Sequence, residues 1–346
     1  MSDLKAAVVI LNYNGRYFLE KFLPAIIRHS APYPVIVADN ASTDDSVVFM
    51  EKNHPQIKLI RNHDNYGYAK GYNLALEHVN AEYFILLNSD VEVTANWIPP
   101  VLDLMDADRT IAACQPKILD FNNRSLFEYA GAAGGFIDKY GYPFCRGRIF
   151  NALEEDKGQF NDAREVFWST GACLFVRSDA FKQAGKLDDD YFAHMEEIDL
   201  CWRLKNLGHK ICVQPASIIY HIGGGTLNKL SKQKTYLNFR NNLTTLTKNH
   251  PSKWLFCKVV FRLKLDGVAA FKFLFDGQPK HFFAVLRAHF SYYRRLPSIL
   301  RKRKEMKKKP GFRFNTSQIY DGNIVLEHFI RGKDKFEELH KGFFKD

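Results

Sequence analysis

The sequence predicts an α/β fold: a mostly parallel sheet flanked by helices, followed by a basic helical C-terminal extension. Three observations carry this. Short apolar runs alternate with amphipathic segments through the first 115 residues. Four of these runs lead into ends that carry Asn, three of them with Asp as well. Positive charge is concentrated late: Thr226 to Pro310 holds 21 Lys plus Arg against 3 Asp plus Glu, so the remainder of this +11 chain carries −7.

The elements follow in order. AAVVIL (6–11) reads as a strand and RYFLEKFLPAIIRHS (16–30) as an amphipathic helix. PVIVAD (34–39) is a second strand, and Thr43 with Asp44 and Asp45 marks a helix start. IKLIR (57–61) is a strand, YAKGYNLALEHV (68–79) a helix and YFILLN (83–88) a strand. Residues 96–106 hold a helix interrupted at its start by Pro99-Pro100, and IAAC (111–114) reads as one more strand. Continuous apolar strands between helices belong to a sheet covered on both faces.

In such folds ligands bind beyond the carboxyl ends of the strands. Those ends read Asn12-Tyr13-Asn14-Gly15, Asp39-Asn40-Ala41-Ser42, Asn62 to Gly67, and Asn88-Ser89-Asp90. Turn chemistry alone explains any one of them. Four polar ends on one sheet edge point to a binding site. No GxGxxG follows the first strand and no GxxxxGK[ST] occurs, which disfavours a dinucleotide-dependent oxidoreductase and a P-loop enzyme.

Residues 121–159 are rich in Gly and aromatics and read as loops and short strands. Order resumes with a strand at 171–176 and a helix beginning at Ser178. A further helix over Ile198–Leu207 ends at Gly208, with Glu196, Glu197 and Asp199 at its start. Carboxylates there suit the helix dipole, and Asp199 can pair with Arg203 at i,i+4. Adjacent acids in an aromatic setting also suit a general base. A strand at 210–213 and a segment at 216–220 end on His221, ahead of Gly223-Gly224-Gly225.

The ordered set LNYNG, VADNAST, NYGYAKGYN, LLNSD, FWSTGACLFVR, YFAHMEEIDLCWRL and YHIGGGT resembles glycosyltransferase family 2, nearest its rhamnosyltransferase-like branch of bacterial surface-polysaccharide synthesis. The resemblance covers about residues 5–226. It implies a GT-A fold over 1–226, with a nucleotide-sugar half (1–115) and an acceptor half (116–226), followed by a basic helical region, 227–346.

It further implies inverting transfer of a hexosyl or deoxyhexosyl group from a nucleoside-diphosphate sugar to a glycan or lipid-linked acceptor. The cofactor implied is a divalent metal, Mn²⁺ or Mg²⁺. Asp39 would accept from the base ring, with Asn12 and Tyr13 beside the nucleotide. Asn65, Gly67, Lys70 and Gly71 match the segment that approaches ribose and diphosphate. Asn88-Ser89-Asp90 stands in the place of the DxD motif, with Asp90 the carboxylate ligand and Asn88 offering a neutral oxygen. His221 matches a histidine completing the metal site. Glu197 falls on the position of the base, where the family usually has Asp; Glu196 and Asp199 remain alternatives. A catalytically silent nucleotide-sugar or glycan-binding protein on the same fold is the other reading.

Six cysteines without a CxxC pair read as reduced thiols of a cytoplasmic protein. The six-residue apolar start is too short for a signal peptide, and no uncharged stretch is long enough to span a bilayer. Residues 253–310 alternate aromatics with cations, which reads either as helices packed on the body with a solvated charge run or, the reading favoured, as peripheral contact with the inner face of the cytoplasmic membrane, rather than with nucleic acid. There Lys258, Arg262 and Asp266 are spaced at four. No function is read for 311–346.

Overall fold

The structure is a computed structural model and describes residues 4–223, 231–251 and 253–345. Strands are β1 (Leu4–Asn12), β2 (Val35–Asp39), β3 (Lys58–Arg61), β4 (Ala81–Asn88), β5 (Val91–Val93), β6 (Ile111–Asp120) and β7 (Gly135–Asp138). They continue as β8 (Pro143–Cys145), β9 (Arg148–Ile149), β10 (Ala152–Leu153), β11 (Arg164–Val166), β12 (Cys173–Arg177), β13 (Lys210–His221) and β14 (Ile319–Tyr320). Helices are α1 (Arg16–Ser30), α2 (Ser46–Asn53), α3 (Gly67–Leu76), α4 (Pro99–Ala107) and α5 (Ser178–Ala184). Then come α6 (Glu196–Asn206), α7 (Lys232–Asn249), α8 (Leu255–Phe275), α9 (Pro279–Lys307) and α10 (Ile324–Phe329).

The main sheet runs β11-β13-β6-β12-β4-β1-β2-β3, with β5 added to β13. The quartet β3-β2-β1-β4 is parallel, as the sequence predicts. Beyond it the sheet is mixed: β12 lies antiparallel between β4 and β6, while β6 and β13 are parallel. Alternation along β1 explains the double covering. Ala6, Val8 and Ile10 join one buried cluster with α1 and α4, and Ala7 and Val9 join the other with α3, α5 and α6. From Ala6 to Leu11 each β1 residue thus faces one layer or the other, which is why that stretch is apolar throughout, between the exposed Lys5 and the buried Asn12.

The 210–213 and 216–220 segments are one strand, β13, with an irregularity between Gln214 and Ile218. The Gly-rich stretch supplies β7 to β10 of a second, five-stranded sheet, and β14 from the C-terminal region completes it by pairing parallel to β7. Phe336 and Phe344 pack on Phe136 of that sheet. The region after residue 226 is therefore built into the body rather than hung from it. Position 226 itself, with Gly224 and Gly225, lies outside the described residues.

Candidate active site

Strand register brings the predicted strand ends together. Asn12 pairs with Asp39, Leu11 with Asn88 and Asp39 with Arg61. Asn12 and Asp39 are buried. Asp39 Oδ1 accepts from Asn12 Nδ2 (3.1 Å) and Ser42 Oγ (2.6 Å), and its Oδ2 accepts from Ser42 N (2.9 Å). A carboxylate has about four lone-pair sites, so Oδ2 keeps capacity for one more donor. Tyr13, beside it, is half-buried.

The 62–71 segment is held internally. Asn65 Oδ1 accepts from Gly67 N and Asn40 Nδ2, both at 3.0 Å. Gly67 adopts φ +71°, and a Cβ there would sit 2.5 Å from the Phe192 carbonyl oxygen. The first-turn amides of α3 donate to that same carbonyl, from Tyr68 (2.6 Å) and Ala69 (3.3 Å). Glycine is thus needed at 67 because the loop before α6 packs against it. Gly71 similarly faces Asn40 and Leu11, and the Lys70 ammonium lies 4.2 Å from the Tyr66 ring centre.

The third group forms around Asp90 and His221, 131 positions apart. β5 pairs antiparallel with β13 so that Val91 faces His221, and Ile222 N donates to Asp90 O (3.1 Å). His221 Nε2 then lies 3.1 Å from Asp90 Oδ1 and 3.5 Å from Asn88 Nδ2. Asp90, His221 and Ser89 are all buried. On the other side His221 Nδ1 is 3.3 Å from Glu128 Oε1, a residue the sequence reading did not single out. Burial alone would push the imidazole down, but the Glu128 and Asp90 carboxylates outweigh it and raise it to about 10.

This donor set fits a hard divalent cation. Metal binding would displace the His221 proton that the two carboxylates otherwise hold; the neutral imidazole then stands with a carboxylate and an amide, and such ions take the rest of their shell from phosphate oxygens and water. Among the described residues no group of three or more His, Cys, Asp or Glu is arranged to hold an ion unaided. Glu128 against Nδ1 has the placement of the outer partner that fixes a ligating histidine.

The acids of α6 separate by environment. Glu196 is buried, and desolvation together with the neighbouring Glu197 holds its carboxyl well above the usual range. Glu197 is half-buried with Oε2 sealed from solvent; desolvation raises it to about 7, against the lowering effect of backbone amides at the helix start. Asp199 is fully buried, with both carboxylate oxygens engaged. It accepts from Arg203 Nε (2.8 Å), Lys248 Nζ (2.8 Å) and Asn249 Nδ2 (2.7 Å). Of its two readings, ion pair and base, these contacts support the ion pair, which also ties α6 to α7.

The loop leading into α6 is strained, with Phe192, His194 and Met195 all at φ between 67° and 72°. It persists because α7 and α9 clamp it. Asn241 Nδ2 donates to the carbonyls of Tyr191 (3.1 Å), Ala193 (2.9 Å) and His194 (2.8 Å). Arg240 Nη2 donates to the carbonyls of Asp190 and Tyr191, and Lys302 of α9 pairs with Asp188 and Asp190 at 2.5 Å. These residues were hidden in what the sequence presents as a basic extension.

Helix α3 carries two buried or half-buried tyrosines near these groups. Tyr72 lies in the field of Asp90 and Tyr68 in that of Glu196 and Glu197, and the two rings are 4.7 Å apart. The buried Cys145 thiol lies in the fields of both Glu128 and Glu197.

Residues 7–185 match the model of the family described as Glycosyl transferase family 2. Among curated proteins, the chain is 26% identical over 267 residues to an N-acetylglucosaminyl-diphospho-decaprenol L-rhamnosyltransferase of Mycobacterium tuberculosis, covering 72% of this chain and 82% of that protein. Among solved structures, it resembles GalNAc-T7 with UDP, GalNAc and Mn²⁺ (TM-score 0.55, 17% identity). That match covers 71% of this chain and 48% of GalNAc-T7. It also resembles the mannosyltransferase PcManGT of Pyrobaculum calidifontis with GDP-Man and Mn²⁺ (TM-score 0.50, 15% identity, 85% of this chain and 90% of that one). At these identities the structural matches speak to fold, which is of the GT-A type.

Proposed function

Since the chain belongs to glycosyltransferase family 2, on its rhamnosyltransferase-like side, we propose that it performs inverting, metal-dependent transfer from a nucleoside-diphosphate sugar to a glycan or lipid-linked hydroxyl. The observation that carries this reading is the meeting of Asp90 and His221 at 3.1 Å on the edge where Asn12 and Asp39 also end.

Asp39, with the free capacity of Oδ2, accepts from the base ring, and Asn12 and Tyr13 flank the nucleotide. Asn65, Gly67, Lys70 and Gly71 shape the floor toward ribose and diphosphate, with the Lys70 ammonium facing the phosphates. Asp90 and His221 would hold Mn²⁺ or Mg²⁺, with Asn88 and Ser89 beside them; Mn²⁺ tolerates imidazole better. A divalent ion held there would supply positive charge against the diphosphate leaving group. Glu128 keeps the His221 ring oriented.

Glu197 takes the proton from the acceptor hydroxyl as it attacks the anomeric carbon from the face opposite the diphosphate, which inverts the configuration. A carboxyl raised to about 7 is near the optimum for this work at neutral pH, worth on the order of 10² to 10⁴ in rate. Glu196 stands beside it, its carboxyl held well above the usual range by burial and by Glu197. The same reading places the enzyme in peripheral contact with the inner face of the cytoplasmic membrane, through 253–310.

A thermal-shift series with UDP, dTDP and GDP sugars, with and without Mn²⁺, tests the donor site. One nucleotide family should stabilise the protein only with metal, and Asp90→Ala should abolish that shift. A shift unchanged in Asp90→Ala would refute the assignment.

A further inference from the structure

Helix α8 is turned inside out. Its inward residues include Arg262 and Asp266 as well as Val259 and Ala270. Arg262 Nε donates to Asp266 Oδ1 (2.9 Å), and Nη1 donates to Asn242 Oδ1 (2.5 Å) and Tyr140 O (3.2 Å), with the guanidinium 3.4 Å from the Tyr142 ring centre. Lys258 Nζ donates to Lys139 O (2.9 Å). The charged stripe at i, i+4, i+8 is thus spent on the protein body and cannot be the side that meets head groups.

The opposite side is apolar and open. Phe256 is 79% exposed and Phe275 85%, with Val268, Phe271 and Leu274 also exposed between them. On α9, Phe283, Leu286, Phe290 (72% exposed) and Tyr293 recur at three- and four-residue steps on the outer side. Ala284, Val285, Ala288 and Tyr292 pack inward. A surface helix in water has the reverse arrangement, and a continuous apolar patch of this kind marks an interaction site.

The charges choose the occupant. Lys264, Lys280, Arg287 and Arg294 are exposed among these aromatics, while the exposed acid of 253–300, Asp276, is paired with Lys272 at 2.7 Å. A second copy docked face to face would oppose like charges. An anionic bilayer surface would neutralise them and accept the aromatics at its acyl boundary. No helix among the described residues is long and apolar enough to cross a membrane.

We propose that the outer side of α8 and α9 is an interfacial lipid-binding surface, with the phenylalanines entering the head-group boundary and the cations meeting lipid phosphates. The inner side of α9 holds the acid loop through Lys302 and Arg295, the latter donating to Asp190 O at 3.1 Å. The helix that meets the bilayer thereby also fixes the acceptor-side acids. Only this last meaning rests on the lipid-linked acceptor proposed above; lipid binding is tested without it.

The test is co-sedimentation of the full chain with phosphatidylcholine vesicles, with and without phosphatidylglycerol. Binding should require the anionic lipid, weaken in high salt, and fall ~10-fold or more in a Phe256→Ser, Phe275→Ser, Phe290→Ser variant. That variant should keep its melting temperature and any donor-induced shift, because the three rings are exposed. Equal vesicle binding by the variant, or no binding by the parent, would overturn the proposal. So would vesicle-free self-association in light scattering that the same variant abolishes, since the face would then bind a second copy. Vesicle binding without any donor shift would leave this surface standing and sink the donor site instead.

Discussion

Asp199→Ala separates the structural acid of α6 from the candidate base. Asp199 is fully buried and faces Arg203 and Lys248, both nearly sealed from water. Removing one member of a buried ion pair costs about 3–5 kcal/mol, because the partner is left charged without compensation. Here Lys248 keeps Asp188 at 2.6 Å and Arg203 Nη1 keeps the Ala184 carbonyl at 2.6 Å, so the lower end, about 3 kcal/mol, applies. At roughly 2 °C per kcal/mol for a chain of this size, the melting temperature should fall about 6 °C.

The pH dependence has a definite sign. Burial pushes the Asp199 carboxyl up, but Arg203 and Lys248 outweigh it and hold it below the ordinary carboxylate range. A depressed folded value contributes stability above the unfolded pKa of about 4, and that stability is lost as pH falls through the folded value. Melting curves of parent and variant should therefore stay separated near neutrality and converge in acid. A variant as stable as the parent, or a gap that widens in acid, would refute this account of Asp199.

Two further substitutions probe the supports of the site. Asn241→Ala removes three hydrogen bonds to the loop before α6, so it should lower kcat by about tenfold or more with donor-induced stabilisation unchanged; an unaltered kcat would show that Asn241 does not position the acids. Glu128→Gln should weaken Mn²⁺ affinity, followed as metal-dependent thermal stabilisation, by about 10- to 100-fold; unchanged affinity would remove Glu128 from the metal side.

The first strands were legible because each holds an apolar run that stops at a polar loop, β1, β2 and β4 stopping on Asn12, Asp39 and Asn88. The direction of β12 was not, since CLFVR reads the same whether it runs parallel or antiparallel to its neighbours. Asp90 and His221 stood out as polar residues ending apolar strands. Glu128 did not, lying in a Gly- and aromatic-rich stretch without periodicity, where a lone acid in LFEYAG was the available signal. On α8 the four-residue spacing of Lys258, Arg262 and Asp266 puts them on one stripe. Periodicity gives a stripe but not its partner, and buried contacts with Asn242, Tyr140 and Tyr142 turned it inward. Asn241 and Arg240 were masked by the net charge around them, although their work is done on carbonyls of the acid loop.

The most direct test pairs donor binding with transfer in Glu197→Gln. The amide keeps the shape of the side chain but cannot take a proton. Metal-dependent stabilisation by the sugar nucleotide should persist, while transfer to acceptor and its accompanying nucleoside-diphosphate release fall by about 10² or more. In the parent, transfer should rise with pH through about 7, where the Glu197 carboxyl loses its proton. Near-parental transfer by Glu197→Gln with the same pH profile would contradict the account, because the proton would then be leaving the acceptor by another route.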